Sequence, residues 1–334
     1  MAEGDGAGLS VVRTADGSVT FRSERFGEHF HSLQGAWREA IAKFVLPTGL
    51  VGLAGDRGRR GDPIVLLDVC YGLGYNTAAA LGAIWMVDPA CRVRWFGLEL
   101  EGAVPRAAIA PLRDCLAAQV AAGELSAAVA DRVGAVVESV AVAGVATDPA
   151  GAMGGGFVPM GGGVAPITGS LLLGDARQTV AQVAEAMAAD GVGADAIFFD
   201  PFSPPRCPQL WTVEFIGAIA ACLAPTGRLA TYSCAPAVRA ALQLAGLTVG
   251  PSEPFGRRWP GTIAAIAPEP PFDPLDPREQ EHLQTRAAVP YRDPTLADSA
   301  DMILERRDRE QAASPLEPTS RWKRRWFGDC RAKF

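Results

Sequence analysis

Short, mostly apolar runs that close on a glycine or an acid, each followed by a helical stretch, organise the middle of this chain. The first is Ile64–Val69, with a glycine turn and a helical pattern to about Val87 behind it. Arg92–Leu100 comes next, ahead of alanine-rich helix through about Val120 and a second helical stretch near 124–142. Leu171–Leu173 runs into Gly174-Asp175 before a helix to about Ala189, and Ala194–Phe199 runs into Asp200. A helix near Pro208–Leu223, a strand at Arg228–Tyr232, a helix at Pro236–Ala245 and strands at Leu247–Val249 and Thr262–Ala267 complete the series. Runs this apolar are buried on both faces, and successive βα units demand a mainly parallel sheet covered by helices. The expectation is an α/β, Rossmann-like fold with seven sheet strands, the last two antiparallel.

The flanks read differently. Residues 11–21 form two β-prone runs around Asp16-Gly17, a hairpin signal. Leu33, Trp37, Ile41 and Val45 recur at steps of four over 33–45, and the Gly-, Arg- and Asp-rich stretch 47–62 reads as a linker. Residues 1–60 are therefore taken as an N-terminal extension, 61–267 as the main domain, and 144–169, with its glycine triplets, as a flexible insertion. Residues 268–334 are rich in proline and charge and read as an extended appendage, basic at its end.

Composition narrows the class. The 334 residues carry a formal charge of −6, which argues against a general nucleic-acid-binding protein. No apolar stretch is long enough for a membrane span, and MAEGDGAGLS lacks the basic and apolar regions of a signal peptide. The seven cysteines include no CxxC pair, so they fit reduced thiols and a cytoplasmic setting. His29, His31 and His282 complete no zinc ligand set, and no metal is expected. The closing segment RWKRRWFGDCRAKF reverses the overall balance, with six basic residues, one acid and interleaved aromatics, and Arg257-Arg258-Trp259 is a smaller cluster of the same kind. Such segments either contact phosphates and bases or form a solvated face with packed aromatics.

Ligands of open α/β sheets sit beyond the carboxyl ends of the strands, so the residues just after each strand carry the functional information. Asp68-Val69-Cys70-Tyr71-Gly72-Leu73-Gly74-Tyr75-Asn76-Thr77 pairs a Gly-x-Gly turn with a preceding acid, and Glu99 ends the next strand. Glycines allow a ligand close to the backbone, and Glu99 suits ribose hydroxyls; NAD and S-adenosylmethionine (SAM) both meet these terms. Thr77 replaces the third glycine of a dinucleotide fingerprint, and Asp68 suits the cationic amino-acid end of SAM. Asp175, at the end of the third strand, suits an adenine amino group, or else caps the following helix. Together these features favour SAM. Asp200-Pro201-Phe202-Ser203-Pro204-Pro205 then places a carboxylate at a strand end, in a proline-stiffened turn bearing an aromatic ring. A carboxylate and neighbouring carbonyls there can orient an amine and take its proton, while Phe202 stacks on a flat ring. A plain proline turn with Asp200 as a helix cap is the simpler alternative.

These residues resemble the methyltransferase domain of the MnmC family. The likeness is carried by Leu67–Asn76, by Gly174-Asp175-Ala176-Arg177, by Phe199–Pro204 followed by Pro208–Thr212, and by Gly227–Ser233 with Val238-Arg239 and Leu242. Thr14–Ser18, His31-Ser32 and Gly35-Ala36 resemble the stand-alone form of that domain, and the match spans most of 11–267. The resemblance implies a class I SAM-dependent methyltransferase fold and a tRNA partner. The implied reaction methylates the 5-aminomethyl group of the wobble uridine to give 5-methylaminomethyl-(2-thio)uridine. Carried onto this chain, the cofactor set is Asp68, Tyr71, Gly72, Gly74, Asn76, Glu99, Asp175 and Ala176. The transfer set is Asp200 and Phe202, with Pro201, Ser203, Pro204, Trp211 and His31 about the acceptor. The resemblance also favours tRNA contact by Arg321, Lys323, Arg324 and Arg325. Pro201 departs from the family, which usually has glycine or alanine there. No second dinucleotide fingerprint accompanies the first, so the oxidase activity of bifunctional relatives is not expected. A methyltransferase for another amine and, behind it, a NAD-dependent oxidoreductase are the competing readings.

Overall fold

The computed structural model describes residues 8–143, 157–158, 166–256, 259–267 and 272–328. Strands β1 (Leu9–Arg13) and β2 (Val19–Ser23) form the expected antiparallel hairpin. The main sheet comprises β3 (Ile64–Val69), β4 (Val93–Glu99), β5 (Phe157–Val158), β6 (Ile167–Leu173), β7 (Ala194–Phe199), β8 (Leu223–Thr231), β9 (Thr248–Pro251) and β10 (Thr262–Ala265). Their order is β5-β6-β4-β3-β7-β8-β10-β9. Every residue of β3 and β7 is buried, as a central strand covered on both faces requires. β10 runs antiparallel to both β8 and β9, and the two-residue β5 is an eighth strand, antiparallel to β6, beyond the seven expected. It lies inside the 144–169 insertion, most of which falls outside the described residues.

Helices cover both faces. α1 (Ala36–Ala40), α2 (Leu46–Thr48) and α3 (Leu50–Arg60) follow the hairpin, with a π-helical turn at Ile41–Val45 between the first two. With α4 (Tyr75–Val87), α5 (Ala103–Ala107), α6 (Ile109–Ala121) and α7 (Ala127–Ala143) they pack one face, centred on Trp37, Phe44, Trp85 and Trp95. The other face carries α8 (Ala176–Asp190), α9 (Val213–Ala220) and α10 (Pro236–Leu244), with Trp211 and Phe215 fully buried beneath them. Among the described residues no helix is long and apolar enough to cross a membrane.

Two expectations fail here. The stretch 47–62 is mostly the helix α3, not a linker, although Gly52, Gly55 and Gly58 lie within it. Each glycine costs a helix about 1 kcal/mol relative to alanine. Tertiary packing overrides that cost: Leu50 and Ala54 are fully buried, and Arg57 pairs with Asp195 at 2.6 Å. A Cβ on Gly58 would collide with Asp88, so that glycine serves the packing.

Nor are the described residues of 268–334 an extended appendage. Residues 272–328 fold into α11 (Pro277–His282), α12 (Ala300–Ala313) and α13 (Thr319–Phe327), and send Leu275, Tyr291 and Ile303 into the core. The start of α11 is written in Asp276-Pro277-Arg278-Glu279. Asp276 and Glu279 form a reciprocal capping box with proline in the first turn. Glu279 also receives Arg239 Nη1 at 2.8 Å, and Arg239 further donates to Thr262 Oγ1 and the Gly261 carbonyl, all buried. Removing one partner of a buried ion pair strands the other. Arg239→Ala is therefore expected to cost about 3 kcal/mol of stability, read as a lower urea midpoint. A change of under roughly 0.5 kcal/mol, the range of ordinary surface substitutions, would show that the pair anchors nothing.

Candidate active site

The strand order reverses between β3 and β7: the chain winds outward through β4 and β6, then returns to place β7 on the other side of β3. A crevice opens at such a switch point, outside the carboxyl ends of the two strands. Leaving β3, Cys70, Gly72 and Gly74 all take positive φ, at 68°, 57° and 80°. The turn folds the Tyr71 ring back over Gly74, where a Cβ would stand 2.5 Å from Tyr71 Oη. Only glycine permits that approach together with a left-handed backbone.

Three acids surround this turn. Glu99 accepts the Gly72 N–H at 2.8 Å through one oxygen and the Glu101 N–H at 2.9 Å through the other. Burial raises its pKa, against those backbone hydrogen bonds. Each of its oxygens keeps a second lone pair for a ligand hydroxyl. Asp68 is fully buried and accepts from Thr77 Oγ1 at 2.6 Å. The Trp95 indole donates to the same hydroxyl at 2.9 Å, which directs the Thr77 proton at Asp68. Burial pushes Asp68 up to about 7. The third acid, Asp200, follows β7 directly; its N–H donates to the Val69 carbonyl at 3.2 Å and its Oδ2 receives Asn76 Nδ2 at 2.8 Å. Neighbouring residues on the first turn of α4 therefore hold two carboxylates from two adjacent strands.

Asp68 Oδ1, Asn76 Oδ1 and Tyr71 Oη are buried without a protein hydrogen-bond partner. Orphaned polar atoms of this kind cost about 1–3 kcal/mol each, and their clustering about one glycine turn calls for a ligand rich in donors. The α-ammonium of SAM, with three N–H groups and a positive charge, suits these acceptors. A dinucleotide pyrophosphate is anionic and would face Asp68 and Glu99.

A cavity of about 480 Å³ lies in front of the turn, lined by Tyr71, Gly72, Glu99, Asp200, Pro201, Phe202, Ser203 and His31 among others. Asp68, Gly74 and Asn76 stand behind that lining; Gly74 is tied to it through Tyr71 and Asn76 through Asp200, while Asp68 is held by Thr77. His31 is buried to 9% exposure beside Thr20 and Tyr75, and desolvation lowers its pKa to about 4, so the ring is neutral at pH 7.

Four further expected residues also lie outside the lining. Asp175 caps α8 by accepting the Arg177 N–H at 3.0 Å and pairs with the Arg177 guanidinium, which is itself tied to Asp293. Neither it nor Ala176 lines the cavity, and Asp175 serves as the cap of α8. Pro204 and Trp211 are also outside the lining; Trp211 is fully buried and donates its indole N–H to the Phe202 carbonyl at 2.8 Å. Trp211 supports the Asp200 turn from beneath. The Pro201 carbonyl likewise accepts a hydrogen bond, from the Tyr232 hydroxyl at 2.9 Å.

The residues that sequence reasoning missed come from the N-terminal segment. Phe26 stacks on Phe202 with ring centroids 4.5 Å apart, and Phe30 meets the same ring edge-on at 5.0 Å. Glu28 binds both the N–H and the hydroxyl of Ser203, and Arg25 pairs with Glu101 across the rim. The run Arg25-Phe26-Gly27-Glu28-His29-Phe30-His31, dense in aromatic and ionisable side chains between a hairpin and a helix, was the available signal.

Fold and site together define a class I SAM-dependent methyltransferase. Residues 165–267 match the family model described as S-adenosyl-L-methionine-dependent methyltransferase. Within that class the chain is similar to MnmC proteins over part of its length. Its fold superposes on the crystal structure of MNMC2 from Aquifex aeolicus with a TM-score of 0.70 and 29% identity, covering 93% of this chain and 88% of that one. It is 41% identical over 99 residues to the tRNA 5-methylaminomethyl-2-thiouridine biosynthesis bifunctional protein MnmC of Caulobacter sp. (strain K31), a match covering 30% of this chain and 16% of that protein. The chain is also 28% identical over 318 residues to the uncharacterised protein MJ0670 of Methanocaldococcus jannaschii, covering 92% of this chain and 73% of that one. The matches to the bifunctional MnmC proteins span only 14–16% of their length.

Proposed function

We propose that this methyltransferase acts on the 5-aminomethyl group of the tRNA wobble uridine, giving 5-methylaminomethyl-(2-thio)uridine. The observation that carries the reading is the Asp200 carboxylate, fixed by Asn76 at the switch point and opening on a cavity walled by Phe202. The MnmC relatives, named for this nucleoside, supply the substrate.

When bound, SAM supplies an electrophilic methyl group on a sulfonium. Tyr71 would hold its amino-acid end with Asp68 and Asn76 behind it, Glu99 would hold its ribose, and Gly72 would let it approach the backbone, while Gly74 makes room for the Tyr71 ring. Methyl transfer needs a neutral amine aligned with that group, so orientation and exclusion of water carry much of the rate. Asp200 accepts an amine N–H, orients the lone pair and takes the proton released. Pro201 and Ser203 fix its backbone, Phe202 faces the flat ring, and neutral His31 lines the wall as a hydrogen-bonding group without charge.

Incubation with SAM and tRNA carrying the 5-aminomethyl nucleoside, followed by nucleoside mass analysis, tests the reading. One added methyl on that nucleoside is expected. Transfer only to another amine would overturn it. A tRNA substrate also places the protein in the cytoplasm.

The tRNA contact is proposed for α13. Within Thr319–Phe327 there are four basic residues and no acid, in a chain of net charge −6. Because β10 is antiparallel, the segment entering it lies at the carboxyl edge of the sheet, the edge of the cavity. There Trp259 meets Phe327 of α13 at 5.9 Å, while Gly256 is bonded to Gln34 beside the cavity rim. Trp322 is buried and stacks on His282 at 3.7 Å, and Arg325 is spent on Glu281 and Glu317. Arg257 and Arg258 lie outside the described residues. This leaves Arg321, Lys323 and Arg324 for phosphates. Replacing all three by alanine is expected to weaken tRNA binding and to reduce the slope of log K against log salt by about 2, with SAM affinity unchanged. An unaltered salt slope would remove α13 from the interface.

A further inference from the structure

The Asp200 turn is braced from four directions, and one of them comes from outside the βα framework. Val69, Tyr232 and Trp211 fix residues 200–202 from the sheet and the helices behind it. Ser203 is fixed by Glu28, whose two oxygens take its N–H at 2.9 Å and its hydroxyl at 2.5 Å across 175 positions of sequence. Glu28 sits in a tight reversal of β2: the Ser23 N–H donates to the Glu28 carbonyl at 2.8 Å and the Phe30 N–H to the Phe21 carbonyl at 2.9 Å. The reversal is anchored in the hairpin at one end and to Glu101 through Arg25 at the other. Its two phenylalanines flank Phe202, and Phe30 also lies against the glycine turn, 3.3 Å from where a Gly72 Cβ would stand. One rigid element therefore touches both halves of the site.

We infer that Glu28 is a positioning residue for methyl transfer and that Phe26, stacked on the inner aromatic of the turn, sets where the acceptor ring can lie. The inference rests on the reading of the Asp200 turn as the acceptor site. Phe26 covers one face of Phe202, so an acceptor ring uses the remaining aromatic wall, at a distance from Asp200 fixed by that stack. Glu28 acts through Ser203: without its bidentate grip the turn loses its only carboxylate brace among the described hydrogen bonds. Pro201, Pro204 and Pro205 have no N–H to offer in its place.

The test compares Glu28→Ala with Glu28→Gln in the full chain. A glutamine keeps both contacts, because its carbonyl accepts the Ser203 N–H while its amide donates to a rotated Ser203 hydroxyl. With the aminomethyl tRNA, Glu28→Ala is expected to lower single-turnover methyl transfer about 10- to 100-fold with SAM affinity within about threefold, and Glu28→Gln to recover most of the rate. Amide exchange at Asp200, Phe202 and Ser203 is the second readout, and it does not depend on the acceptor. It should quicken about tenfold in Glu28→Ala and stay near wild type in Glu28→Gln, with the glycine turn 70–74 unaffected. Unchanged exchange in Glu28→Ala overturns the inference. So does exchange that quickens throughout the protein, which marks a general packing role. If exchange behaves as expected but wild-type protein leaves the tRNA unmethylated, the substrate reading fails while the bracing stands.

Discussion

Replacing Asp200 by asparagine is expected to slow methyl transfer by about 10²–10⁴-fold, the range for loss of a positioned general base, while SAM affinity moves less than about threefold. The substitution is isosteric, so the packing of β7 and its turn survives. What changes is polarity. Asn76 already presents an N–H to Asp200 Oδ2 at 2.8 Å, so an amide at 200 must turn its oxygen to Asn76. Its NH₂ then faces the acceptor, as a donor aimed at the lone pair that should attack, and no group remains to take the proton. Single-turnover kinetics with the aminomethyl tRNA, alongside calorimetric SAM titration, separate the two effects. A rate within threefold of wild type would remove Asp200 from the chemistry. Rate and SAM affinity falling in step would make it a cofactor residue.

The frame around this cavity was legible because it depends on local pattern. β3 and β7 begin and end where their apolar runs do, and Tyr71, Gly72, Glu99 and Asp200, at or just past strand ends, line one cavity. Thr77 was also a correct pointer away from a dinucleotide fold, but for a reason the sequence concealed: its hydroxyl carries the Trp95 donor on to Asp68. The capping by Asp175 and the burial of Trp211 look the same in sequence as ligand contact. The acid of Asp175 meets Arg177 two residues on, and the Trp211 ring turns inward under Phe202. α3 hid behind its glycines, and α11 behind the proline content of its surroundings, although its capping box was present. Glu28 and Phe26 lie in a run dense in aromatic and ionisable residues, but nothing local in it says what they touch. Their role exists only once the hairpin folds across the switch point, a contact between parts of the chain 175 residues apart.

Asp68→Asn is expected to act in opposite directions on stability and on cofactor binding. In the ligand-free protein the Asp68 carboxyl is buried, and its pKa rises from 3.8 to about 7. The folded state therefore holds this proton more tightly than the unfolded chain. The stability that goes with the raised pKa is complete below about pH 4, drains as pH rises towards 7, and is gone above it; in total it is on the order of 4 kcal/mol. An asparagine has no charge to desolvate, and its oxygen still accepts from Thr77. Ligand-free Asp68→Asn should thus match wild type near pH 4 and melt higher above pH 7. SAM binding reverses the preference, because a cationic group beside Asp68 Oδ1 favours the ionised carboxylate. Wild-type affinity should rise about tenfold between roughly pH 5.5 and 7, with proton release on binding, whereas Asp68→Asn should show a flatter profile and binding about 10- to 100-fold weaker. Melting curves and SAM titrations across this pH range check both signs. If the mutant's affinity climbs with pH as steeply as wild type, the proton comes from elsewhere, Glu99 being the other buried acid at the turn with a raised pKa. If the mutant is also less stable at pH 8, the carboxylate has a partner that outweighs its desolvation, and Asp68 is a structural acid.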